Sequence, residues 1–115
     1  MHDVFHADAA NTPHRRIMWS PKSDDLHINL VDLRGNEEIA EHVNEALDVL
    51  LTCLAGDGTL VIDGESVPMA TGSVALVPKG ARRAVIAGPD GMRYTTCHRA
   101  RGGLMPSVKR NPERG

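Results

Sequence analysis

Short apolar runs separated by strong turn signals fill the middle of the chain, from His42 to Arg83. Gly56-Asp57-Gly58, Asp63-Gly64, Thr71-Gly72 and Pro78-Lys79-Gly80 mark the breaks. Asp-Gly between apolar runs is a hairpin signal, because a tight turn needs the positive φ that glycine tolerates. Strands joined by turns every ~8–12 residues predict an antiparallel sandwich or barrel. The chain reads as all-β.

Taken in order, His14 to Trp19 is a candidate first strand, ended by Pro21 and Asp24-Asp25. Leu26 to Leu33 alternates, with Leu26, Ile28 and Leu30 on one face and His27, Asn29 and Val31 on the other, the signature of a half-buried strand. Arg34-Gly35-Asn36 then turns the chain into an acidic stretch from Glu37 to Asn44. Asp48 to Leu54 is nearly continuous in apolar residues, a pattern that predicts cover on both faces. Asp48, Leu50, Thr52 and Leu54 share one of those faces; Val49, Leu51 and Cys53 share the other. Thr59 to Asp63, Ser66 to Met69, Ser73 to Val77 and Arg83 to Ala87 follow as short strands. Beyond a Gly88-Pro89-Asp90-Gly91 turn, Met92 to Arg99 puts Tyr94, Thr96 and His98 on one side. The expected organisation is an N-terminal arm with the first strand (1–25), one β-domain (26–99) and a flexible C-terminal tail (100–115) rich in glycine, proline and charge.

Composition narrows the function classes. Only Phe5, Trp19 and Tyr94 are aromatic, so the core must be built from Val, Leu, Ile and Ala. A formal charge of −2 gives no basic footprint for nucleic acid. No apolar run approaches the ~20 residues of a membrane helix, and the start MHDVFHADAA has no signal-peptide pattern. Neither nucleic acid nor membrane is an expected partner. Cys53 and Cys97 are too few for a disulfide framework and too far apart for a CxxC site, so they read as reduced residues of a cytoplasmic protein. His2, His6 and His14 lack the helical spacing of shared coordination, and Arg101, Lys109, Arg110 and Arg114 read as solvated tail charges. Gly56-x-Gly58 precedes a strand-like TLVID rather than a helix, which makes it a turn and not a nucleotide loop.

Two motifs carry a family resemblance. His42-Val43-Asn44, three residues, Asp48 and then Gly56 follow the order His-x-His, three or four residues, Glu, about six residues, Gly. Gly72, five residues, Pro78-Lys79-Gly80-Ala81-Arg82-Arg83 keeps the spacing of Gly-x5-Pro-x-Gly-x2-His, with Arg83 where histidine is usual. From Leu26 to His98 the chain thereby resembles the cupin family. The resemblance implies a single antiparallel β-barrel, a double-stranded jelly roll, and a homodimer with Leu26–Leu33 as a contact edge. It also implies that His42, Asn44, Asp48 and Arg83 line the barrel, with Asp48 pointing in and Thr52 below it. Arg82, by strand alternation, faces the other way, and a one-residue slip of register would exchange the two arginines.

Family members hold Fe, Mn, Ni or Zn with imidazoles and one carboxylate. Of the matching positions only His42 and Asp48 are good ligands. Asn44 offers a weak carbonyl oxygen, and the Arg83 guanidinium has no lone pair. A divalent ion ~5 Å from that guanidinium costs roughly 7 kcal/mol at an effective dielectric of ~20. The expectation is a degenerate site without a cofactor; a divalent metal on His42, Asp48 and His98, with Arg83 swung out, is the alternative. Three functions remain open. The first is binding of a small polar or anionic ligand by His42, Asn44, Asp48 and Arg83, the guanidinium offering its planar fork to a carboxylate or phosphate and His42 a proton. The second is a metal-dependent enzyme of dioxygenase or isomerase type. The third is a structural protein whose barrel is filled, with Asp48 and Arg83 as a buried ion pair. No catalytic residue is assigned.

Overall fold

The computed structural model describes residues 16–100, which form seven antiparallel strands and no helix. These are β1 (Ile17–Trp19), β2 (Leu26–Leu33), β3 (Glu38–Val43), β4 (Val49–Ile62), β5 (Glu65–Ala70), β6 (Val74–Val77) and β7 (Arg82–Arg99). The expectations for the histidines of the arm, for the start of the first strand at His14 and for the tail lie outside the described residues. Among the described residues no helix is long and apolar enough to cross a membrane.

Two long strands frame the molecule. β4 and β7 pair twice: Leu50 to Cys53 with Cys97 to Tyr94, then Gly58 to Ile62 with Ala87 to Arg83. The first half of β4 carries β6 on its free side, and the matching half of β7 carries β2 and then β1. The second half of β4 carries β5, and the matching half of β7 carries β3. Two sheets that share their central strands thus close over one core, whose members include Leu51, Leu60, Val77, Val85 and Met92. That core is aliphatic, as the composition requires, apart from Tyr94.

Two expected turns do not reverse the chain. Gly56-Asp57-Gly58 lies inside β4, and Gly88 to Gly91 lies inside β7. The pairing register shifts between Cys53 and Ala55 and again between Gly56 and Gly58, so both strands bend together. Bulges bend a strand without ending it, and they change which side chains face inward. In β4 the buried set runs Val49, Leu51, Cys53 before the bend and includes Leu60 after it. In β7 it runs Arg83, Val85, Ala87 before the bend and Met92, Tyr94 after it. The odd positions give way to the even ones in both strands. At Asp63-Gly64 the chain does reverse, with φ of 49° and 85°, and this hairpin joins β4 to β5.

One further expectation needs correction, and one is narrowed. Asp48, Leu50, Thr52 and Leu54 do not face the interior: Leu50 and Leu54 are exposed while Val49, Leu51 and Cys53 are buried. The polar content of the two faces explains this, since Asp48 and Thr52 sit on one and only apolar residues on the other. In addition β2 is an edge over only part of its length. β7 pairs with its whole length and β1 covers it at Leu30 and Val31.

The bend depends on glycine at position 56, where φ is +74° and a Cβ would run into the carbonyl oxygen of Gly91. Gly72 has φ of +93° but open space around it. Gly56→Ala is expected to cost about 2–4 kcal/mol, from backbone strain plus steric overlap, and Gly72→Ala about 1 kcal/mol from strain alone. Urea denaturation of the two variants measures the difference; equal losses would show that the bend tolerates a side chain.

Candidate functional site

The bend brings residues of both sheets to one cavity. A space of about 200 Å³ opens between the sheets, walled by Asn29 and Val31 of β2, Ile39 and His42 of β3, and Arg83, Val85, Tyr94 and Thr96 of β7. Arg16 and Ile17 close it on the β1 side. His42 lies directly across from Arg83 in the β3–β7 pairing, after a register shift between Ile39 and His42. Cross-strand partners of this kind hold their Cβ atoms about 4.5–5.5 Å apart. Ile62 flanks Arg83 on the other side.

Of the four residues expected to line the barrel, two do. His42 sits exposed at the mouth, its Nδ1 3.0 Å from the Ala40 carbonyl oxygen. That carbonyl can only accept, so Nδ1 carries the proton, and in the neutral ring the lone pair belongs to Nε2. Arg83 sits inside, only 9% exposed. Asn44 is instead a local cap, its Oδ1 accepting from the backbone N–H groups of Ala46 (3.1 Å) and Leu47 (3.0 Å). Asp48 is exposed on the outside and accepts from the Lys79 N–H at 2.9 Å. The buried Asp48–Arg83 ion pair does not form. Spacing by four residues instead of three places buried Val49 where the carboxylate was expected.

Three side chains that the motifs did not point to complete the cavity: Tyr94, Thr96 and Asn29. Alternation along Met92–Arg99 grouped Tyr94 with Thr96, and alternation along Leu26–Leu33 put Asn29 beside Val31. What the residues did not reveal is that these faces look toward Arg83. Arg82 does point outward, within 3.7 Å of Asp63 and 4.0 Å of Glu41.

Burial dominates the electrostatics. It lowers the Arg83 pKa from its ordinary value, an ionised Tyr94 acting the other way, yet an arginine stays charged at any biological pH. Burial pushes the Tyr94 phenol up to about 12, against the pull of Arg83 and then of Arg16. Tyr94 is therefore a neutral donor beside a fixed cation. Among the described residues no carboxylate forms an ion pair with Arg83. Cys53, buried near the bend, has its thiol raised by burial, against a hydrogen bond to the Ala55 carbonyl; it is an inert core residue. Both cysteines are free.

No family model and no curated protein matches the chain. Solved structures do. A conserved protein with a double-stranded β-helix domain from Klebsiella pneumoniae superposes with a TM-score of 0.70 at 17% identity, over 86% of this chain and 90% of that one. A cupin protein from Bacteroides fragilis gives 0.63 at 17%, over 73% of each chain. KdgF from a Halomonas species gives 0.63 at 18%, over 77% of this chain and 80% of that one. The chain has the cupin fold.

The donor set in this cupin fold does not suit the divalent metal the fold suggests. Among the described residues no three His, Cys, Asp or Glu side chains gather at one point. His98 is on the cavity side of β7 but stacks on His27, ring centroids 4.9 Å apart, with its Nδ1 2.7 Å from the Arg99 carbonyl oxygen. The set His42, Asp48 and His98 is not assembled, and Arg83 holds a permanent cation beside His42.

Tyr94 is the only tyrosine, so its ionisation can be followed alone by ultraviolet absorbance. The midpoint is expected near pH 12 in the folded protein and near ~10 in denaturant. Between those values the unfolded chain releases the phenolic proton and the folded one keeps it. Stability is thus lost as pH rises through that window, by about 2–3 kcal/mol. Arg83→Met is expected to raise the folded midpoint further; a midpoint unmoved by the substitution would separate the two groups.

Proposed function

We propose that this chain is a binding module that takes a small anion into its barrel, without the usual family metal. One observation carries the reading: Arg83 is 9% exposed and finds no carboxylate partner among the described residues. A charge withdrawn from water without a counter-charge is costly, and an anionic ligand supplies that counter-charge. The cavity in front of Arg83 supports binding over a filled barrel. The guanidinium holds the anion, the Tyr94 hydroxyl adds a neutral donor, and His42 stands at the mouth with Nε2 free to exchange a proton. The unpaired cysteines support a cytoplasmic setting.

Residues kept for binding rather than folding commonly reduce stability. Arg83→Met is therefore expected to raise the unfolding midpoint of ligand-free protein by roughly 4–8 °C, about 1 kcal/mol for a domain of this size. Calorimetry measures it. A lowered midpoint would make Arg83 a structural residue and defeat the proposal.

We also propose that the protein is a homodimer, formed through the outer face of the β6–β4–β7–β2 sheet. Leu76, Leu50, Cys97 and Ile28 lie in one register row across it, with Val74 and Thr52 in the next. Leu76 and Val74 are 60% and 61% exposed. Neither row carries a charge, so the face meets its own two-fold copy without like-charge conflict. Leu76→Arg is expected to yield monomers in light scattering while leaving the Tyr94 titration unchanged. A variant that elutes at the wild-type mass would place the interface elsewhere.

A further inference from the structure

The wall of the cavity limits what the anion can be, given the reading of Arg83 as its counter-charge. None of the ten described lining residues is acidic, so an incoming anion meets no like charge among them. The charge supply is also limited. Among the described residues Arg83 is the one buried cation on the wall. Arg16, at the solvent end, is half-exposed, with its guanidinium 3.9 Å from the Glu37 carboxylate and 3.5 Å from the Glu38 carbonyl oxygen. A dianion brought inside would keep one charge unbalanced by a buried cation.

The remaining wall sorts by chemistry. Its neutral polar groups are those of Tyr94, Thr96 and Asn29. Ile17, Val31, Ile39 and Val85 offer a ligand only apolar contact, with Val85 two positions along β7 from Arg83 and Ile39 paired to it. A tetrahedral phosphate would turn several oxygens toward that aliphatic wall, where no donor waits. A carboxylate presents two coplanar oxygens that match the guanidinium fork, and the rest of the molecule can be hydrocarbon. The volume of about 200 Å³ is the share of liquid occupied by roughly six or seven waters at ~30 Å³ each, which suits a compact body and not a long chain.

We propose that the ligand is a small monocarboxylic acid with a compact, branched or cyclic apolar body, its carboxylate on Arg83 and its hydrocarbon against Val31, Ile39 and Val85. Selectivity then comes from two kinds of group on one wall. Arg83 requires a single planar anion, and the aliphatic wall rejects further polar groups by leaving them without partners.

Titration calorimetry on the full chain tests this with 3-methylbutanoate, benzoate, their uncharged amides, succinate and inorganic phosphate. At least one monocarboxylate is expected to bind, with its amide weaker by about ten- to a hundredfold, the usual worth of hydrogen bonds to a charged group. Arg83→Met is expected to abolish the preference for acid over amide. Ile39→Ala, which opens the wall without touching the charge, is expected to keep that preference and to shift it toward larger acids such as phenylacetate. Tighter binding of succinate or phosphate would overturn the monocarboxylate class while leaving Arg83 as an anion site. Equal binding of acid and amide, or a panel in which nothing binds, would overturn the class and the anion reading together.

Discussion

The double pairing of β4 with β7 is the constraint on which the rest of this structure depends. Each strand crosses from one sheet to the other through a glycine-containing bend, and each changes the parity of its inward residues there. Arg83 and Tyr94 lie eleven positions apart on β7, an odd separation that would put them on opposite faces of an uninterrupted strand. Both line the same cavity because the bend lies between them. The corner that closes the barrel therefore also assembles its site.

Within an interior made of aliphatic side chains, Arg83 is the discordant element. Its neighbours along the strand favour a dry core: Val85 and Ala87 are buried beside it, with Leu60 paired across from Val85. A permanent cation in such surroundings opposes folding unless something neutralises it. Asp48, the expected partner, instead caps the Lys79 backbone N–H on the outside, and Val49 takes the inward place. Local rules of this kind are broken chiefly at sites kept for a task other than stability.

The apolar run after Asp48 has a meaning on both of its faces. Val49, Leu51 and Cys53 fill the core, while Leu50 joins Leu76, Cys97 and Ile28 in a charge-free row on the outer surface. A solvated outer face of an antiparallel sheet ordinarily alternates to polar residues. Here Thr52 and Thr95 are polar but Leu50, Leu76, Cys97 and Ile28 are not, and the run that looked covered on both faces is covered on one of them within the described residues.

Much of the architecture is written locally. Alternation over Leu26–Leu33 gave the bounds of β2, and the Asp63-Gly64 and Pro78-Lys79-Gly80 turns fall where the chain reverses or leaves a strand. The motif spacing located His42 and Arg83, which do meet across β3 and β7. Gly56 to Gly58 and Gly88 to Gly91 misled because glycine permits a bulge as readily as a hairpin, and only the partner strand decides which forms. The same indeterminacy hid the direction of Asp48 and the convergence of Tyr94 and Asn29 on Arg83. By itself the sequence determined the residue types, the all-β class and the face each side chain shares along a strand, since these follow from local periodicity and turn chemistry. Only the tertiary structure decided which face looks inward, because that depends on the register of two bent strands against each other and not on any residue alone.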